Sequence, residues 1–218
     1  MGIKEENTQR IKELENEFSD EKIAEIFHVD SYDKLKTDAE EIRARRKALA
    51  KDIIGIVVIA LCVVVLAQFY SLKIVYERSM EDTLEAKDCV VVARHAYAFS
   101  GVRYGDIIVT GSHMTDEDGT PRDLVKRVIG TPGDVIEIKD GSVYRNGLKL
   151  GEPYVGSGGT NGELKPVTVP EGRYFVLGDN RQVSVDSRDA RVGYIEEEQI
   201  QGKVIFLLLP VSRAGRVM

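Results

Sequence analysis

The stretch VIEIKDGSVYRNGLKL, residues 135–150, decides the fold class. Val135, Ile136 and Ile138 form a short apolar run that stops at Asp140-Gly141, and Asn146-Gly147 follows soon after. Asp-Gly and Asn-Gly accept positive φ at both centres of a two-residue turn, so each dipeptide reads as a hairpin tip. Ser142–Arg145 between them has room for one short strand.

Working outward, similar apolar runs recur at Val90–Ala93, Ile107–Thr110, Leu124–Ile129, Tyr174–Leu177 and Val204–Leu209, each bounded by turn signals. Short strands with Gly-rich turns predict a mostly antiparallel β domain. No repeat of fixed period is visible. Glu152–Glu163, with Gly156, Gly158, Gly159 and Gly162, reads as a mobile loop.

Upstream lies a different kind of segment. Ile53–Tyr70, IIGIVVIALCVVVLAQFY, carries no charge. At ~1.5 Å per residue it reaches about 27 Å, close to a ~30 Å hydrocarbon core, and Ser71 to Val75 extend it. A buried helix of a soluble domain would show a polar stripe, and here only Gln68 is strongly polar. A cleavable leader fits poorly, because the run starts far from the N-terminus and is too long. Arg43, Arg45, Arg46, Lys47 and Lys51 precede the run, whereas Lys73 and Arg78, with Glu77, follow it. That bias places the N-terminus in the cytoplasm and the β domain outside. The expected organisation is a cytoplasmic helical segment (1–50), a transmembrane helix (51–74) and an extracytoplasmic β-rich domain (75–218).

The first segment repeats Ile11, Leu14, Phe18, Ile23, Ile26, Phe27 and Leu35 at helical spacing, with Ser19 and Asp30-Ser31 as punctuation. One or two short amphipathic helices and a charged helix from about Thr37 to Ala50 are expected. Two readings stand: a docking segment for a cytoplasmic partner, or a solvated helical tail.

Composition narrows the function. The 218 residues are 43% hydrophobic and 30% charged, with a formal net charge of -6, so nucleic acid is not the expected partner. Cys62 lies in the apolar run and Cys89 beyond it, so no disulfide framework is expected. His28, His95 and His113 are scattered, and neither a metal nor a cofactor is expected.

Three stretches ask for more than folding. In LVKRVIG, Lys126 and Arg127 are neighbours in an apolar strand and point to opposite faces, so one must face inward. A buried ammonium loses hydration, its pKa falls, and the amine becomes a usable base. An exposed lysine guarding an edge strand is the plainer reading. Ser79, in SMEDTL, reads on its own first as a helix cap, and only second as a hydroxyl exposed on a turn. In GDNRQVSVDSR, turn chemistry explains Gly178-Asp179-Asn180 but not the run that follows. There Asp186 and Arg188 can pair, and Ser184 can offer a hydroxyl to an ammonium.

In this order, behind an apolar span, the stretches resemble the boxes of the type I signal peptidases. The corresponding segments are Ser79–Leu84, Gly105-Asp106-Ile107, Lys126–Asp134 (KRVIGTPGD) and Gly178–Arg188, and the resemblance covers about Lys51 to Pro210. It implies a membrane-bound serine endopeptidase that removes signal peptides from exported preproteins. Ser79 is then the nucleophile and Lys126 its general base. Met80 helps keep water from the lysine, Ser184 orients it, and Asp186 and Arg188 form a supporting pair. The implied partners are the lipid bilayer and preproteins with small residues at the first and third positions before the cut. Apolar side chains around Val75 and Tyr76 are expected at the membrane interface.

Two positions depart from the pattern. Asp82 stands where the family carries Pro, and an Asp is expected to support the same turn with less rigidity. Glu77 stands where some members carry a Ser for the oxyanion. A carboxylate repels an oxyanion, so Glu77 is expected to point away. A self-cleaving repressor and an inactive membrane adaptor are the competing readings. The apolar span and the last box count against the first, the presence of both Ser79 and Lys126 against the second.

Overall fold

The computed structural model describes residues 2–17, 19, 22, 25, 29–115, 119 and 121–217. The apolar positions Phe18, Ile23, Ile26 and Phe27 of the helical pattern lie outside the described residues. The chain divides into two compact units, residues 1–63 and 64–218.

Among the elements the structure describes ahead of the sheets are the helices α1 (Gly2–Glu17) and α2 (Val29–Phe69). The charged helix and the apolar span are therefore one continuous element. Nothing in its sequence breaks it, since it contains no proline and its single glycine is Gly55. It includes a stretch long and apolar enough to cross a membrane, within Thr37–Phe69. Residues 70–74, expected to extend that span, form strand β1 (Tyr70–Ile74) instead. The cause is non-local: all five residues pair with β2 (Cys89–Ala93) in antiparallel register. Val75 is also not the exposed apolar side chain that was expected. It is 2% exposed and packs in the core, while Tyr76 is 81% exposed.

The remaining strands are β3 (Ile107–Thr115), β4 (Pro121–Gly130), β5 (Val135–Lys139), β6 (Ser142–Arg145), β7 (Leu148–Lys149), β8 (Leu164–Thr168), β9 (Arg173–Leu177), β10 (Ile195–Glu196), β11 (Ile200–Leu209) and β12 (Gly215–Arg216). The larger sheet runs β1-β2-β11-β3-β4-β9-β10, with β12 on β11; the smaller runs β7-β6-β5-β8. Every strand pair is antiparallel. The hairpin tips fall where the dipeptides placed them. Asp140, Gly141, Asn146 and Gly147 have φ of 50°, 71°, 54° and 78°, as a two-residue turn of that type demands.

The large sheet coils on itself. Flat, β1 and β4 would stand about 19 Å apart at ~4.8 Å per strand. Yet Lys73 of β1 and Asp123 of β4 form an ion pair at 2.7 Å. Coiling leaves an apolar core inside, built on Val75, Met80, Leu84, Val90, Val92 and Val109. Between β1 and β4 it leaves an open cleft.

The segment 152–163 is irregular, as expected, but it is not loose. Arg181, 1% exposed, donates to Glu152 Oε2 at 2.9 Å and to Thr160 Oγ1 at 2.5 Å, which anchors both ends.

Candidate active site

The chain leaves β1 at Ile74, and Val75 N–H donates to Asp88 O at 2.9 Å. It then tightens into a turn in which Thr83 and Leu84 N–H both reach Met80 O, at 3.1 and 2.7 Å. No helix follows, so Ser79 is not a cap. Its N–H has no hydrogen-bond partner among the described residues. The turn is not one a proline could make. Asp82 has φ 79°, in the left-handed region that Asp tolerates and Pro cannot enter, so this turn differs from a Pro-stiffened one.

Lys126 sits in the middle of β4, which lies between β3 and β9, so it is no edge-strand lysine. It is 0% exposed, and its amine lies 2.8 Å from Ser79 Oγ. Burial pushes its pKa below the ordinary lysine value, against the opposing charges of Glu77 and Asp186.

Alternation predicted that either Lys126 or Arg127 would face inward. Both are buried, because the strand is covered on its two faces. Arg127 takes the opposite side and grips Asp179 with two bonds of 2.8 and 2.7 Å, under the ring of Tyr154 at 3.9 Å. Asp179 in turn accepts from Thr83 Oγ1 at 2.6 Å. Asn180 donates its N–H to Ser79 O at 3.0 Å and its amide to Glu81 Oε2 at 2.9 Å. Gly178-Asp179-Asn180 is thus a clamp on the Ser79 turn, a role that turn chemistry alone could not reveal.

Asp186 and Arg188 pair as the sequence suggested, at 2.8 Å, and Asp186 also accepts the N–H of Gly178 at 3.0 Å. Ser184 is not brought onto the amine: its buried Oγ has no hydrogen-bond partner among the described residues. Met80 is fully buried in the core beside the turn.

Glu77 does not point away from the centre. Its Oε2 lies 3.3 Å from the Lys126 amine, and its Oε1 lies 2.8 Å from Arg122 on β4. The Lys126 amine and the Arg122 guanidinium both meet the carboxylate on its inner side, and neither was visible as its partner from sequence neighbourhood.

Ser79 opens into the cleft between β1 and β4, a volume of about 440 Å³. Leu72, Ile74, Val109 and Val125 give it apolar walls, and Arg122 and Asp123 stand among them. Among the described residues, no strand pairs with the outer side of β1.

The family model for signal peptidase, peptidase S26, matches residues 47–209. The chain is 34% identical over 166 residues to signal peptidase I of Bacillus licheniformis, covering 72% of this chain and 86% of that protein. It is 36% identical over 188 residues to signal peptidase IB of Staphylococcus aureus, covering 77% and 93%. Among solved structures, a signal peptidase I from Enterococcus faecalis is similar at 31% identity and a TM-score of 0.41, over 48% of this chain and 97% of that one. The chain belongs to the signal peptidase S26 family.

Proposed function

We propose that the protein removes signal peptides from exported preproteins, with Ser79 as nucleophile and Lys126 as general base. The observation that carries this reading is the 2.8 Å contact between Ser79 Oγ and a fully buried Lys126 amine. Burial favours the neutral amine, and a neutral amine can take the hydroxyl proton as Oγ attacks the scissile carbonyl. The resulting ammonium then protonates the departing amine, and the neutral amine activates the water that hydrolyses the acyl-enzyme. The N–H of Ser79, which has no partner among the described residues, is the donor for the developing oxyanion.

An extended substrate lies in the cleft along β1, whose outer edge pairs with no strand among the described residues and so can offer its backbone groups. Small residues at the first and third positions before the cut are expected there. Met80 and the Asp186–Arg188 pair support the site, and Ser184 stands close by. For the chain as a whole, residues 1–50 lie in the cytoplasm, the apolar part of α2 spans the bilayer, and the β domain lies outside. The cluster of cations just before the span supports that orientation.

The test uses the full chain in lipid vesicles with a preprotein carrying Ala at both positions. Wild type is expected to cleave it, and Ser79→Ala and Lys126→Ala are each expected to lose cleavage while remaining folded. A β-lactam-like acylating inhibitor should leave its mass on Ser79. Near wild-type cleavage by Lys126→Ala would overturn the assignment of the base.

A further inference from the structure

The dyad described above leaves one charged group at the centre without a task. Glu77 precedes Ser79 by two residues and is turned into the site rather than toward solvent. One carboxylate oxygen meets the Lys126 amine at 3.3 Å, and the other meets the Arg122 guanidinium at 2.8 Å. The glutamate side chain is 23% exposed and the lysine 0%, so the contact is poorly screened by water.

We propose that Glu77, with Arg122 behind it, is a positioning residue that aims the Lys126 amine at Ser79 and stabilises the ammonium formed during acylation. The inference rests on the dyad reading. When Oγ attacks, the Ser79 O–H bond breaks and an Oγ electron pair forms the bond to the carbonyl carbon, whose π pair moves onto its oxygen as the oxyanion, while the proton forms an N–H bond with the lone pair of Lys126. Glu77 neither gains nor loses a proton. It provides a fixed negative charge where the new positive charge appears, as an orienting carboxylate does beside a catalytic base. Arg122 limits the effect. A bare carboxylate at this distance would hold the amine protonated at rest and idle the base; a carboxylate shared with a guanidinium holds it less firmly.

The charged groups acting on Lys126 come from three elements: Glu77 before the Ser79 turn, Arg122 on β4 itself, and Asp186 in the loop after β9. Glu77 and Asp186 favour the ammonium, whereas Arg122 and burial oppose it. Glu77→Gln and Arg122→Gln must therefore act on the amine in opposite directions, which a packing role would not produce.

The experiment is the pH dependence of kcat/KM for preprotein cleavage by the full chain in vesicles, with a melting curve for each variant. Removing the carboxylate lowers the lysine pKa, so Glu77→Gln should move the acid limb down by about one pH unit. Its plateau should fall roughly three- to tenfold, since a weaker, less well-aimed base moves the proton less readily. Arg122→Gln should move the limb up. If Glu77→Gln fails to fold, the Arg122→Gln limb decides alone. A limb that stays in place while activity drops is the signature of a structural role and overturns the proposal. A wild type that does not cleave, or a Lys126→Ala variant that does, would fail the dyad reading itself and this inference with it.

Discussion

The N–H of Asn180 donates to the carbonyl oxygen of Ser79 across 3.0 Å, so the loop after β9 holds the Ser79 turn by its main chain. The approach that permits this bond leaves no room beside it. A Cβ on Gly178 would stand 2.4 Å from that same oxygen and 2.3 Å from Ser184 Oγ. Because the oxygen is backbone, no rotamer change relieves the clash.

Gly178→Ala should therefore cost about 1–3 kcal/mol of stability, as overpacking does. It should cost cleavage more, by about a hundredfold, because a shift of ~1 Å in a reacting atom suffices for that. Comparing kcat/KM with the melting temperature separates the two. Full activity in this variant would mean the clamp does not position Ser79.

Arg127 and Asp179 lead to a second expectation. Their side chains are 2% and 0% exposed, so removing one partner strands a buried charge. Arg127→Met should destabilise by about 3–5 kcal/mol. Adding Asp179→Asn, which still accepts from Thr83, should recover part of the loss. The measurement is urea unfolding of wild type, single and double variants, and a double variant no more stable than the single would count against the stranded-charge account.

What the sequence made legible was local. The β5–β6–β7 hairpins follow from two dipeptides whose backbone preferences leave little choice. The Ser79 and Lys126 stretches were recognisable because residue types and order sufficed. β1 was hidden, because Tyr70–Ile74 continues an apolar run and becomes a strand only through β2. The burial of both Lys126 and Arg127 was hidden too, since alternation assumes one wet face and this strand has none. Glu77 finds its lysine 49 positions away, a distance over which no periodicity speaks.

The pH dependence of stability gives a third test. Burial holds the Lys126 amine below its ordinary value. Between that lowered value and the ~10.4 of a free lysine, the unfolded chain binds a proton that the folded chain does not. Stability from this residue therefore rises with pH across the window and is flat below it, where both states are protonated. Lys126→Met has no such proton. The unfolding free energy of wild type minus that of Lys126→Met should grow as pH rises toward about 10. A difference independent of pH would mean the amine is not depressed by burial.

The last prediction concerns Asp82, at the place where the family pattern has Pro. Proline holds φ near −65°, and Asp82 stands at 79°. To accept a proline, the backbone would have to swing through the turn that brings Leu84 N–H to Met80 O at 2.7 Å. The same turn delivers Thr83 Oγ1 to Asp179 at 2.6 Å. Asp82 itself is exposed, so the side chain lost matters little and the backbone decides. Asp82→Pro should therefore cost about 3 kcal/mol or more and depress cleavage by displacing the Ser79 turn. Asp82→Gly enters the left-handed region freely and should stay within about 1 kcal/mol of wild type, with cleavage retained. Thermal unfolding and preprotein cleavage of the two variants, side by side, make the comparison. If Asp82→Pro were as stable and as active as wild type, the turn would hold a negative φ at this position rather than the left-handed geometry.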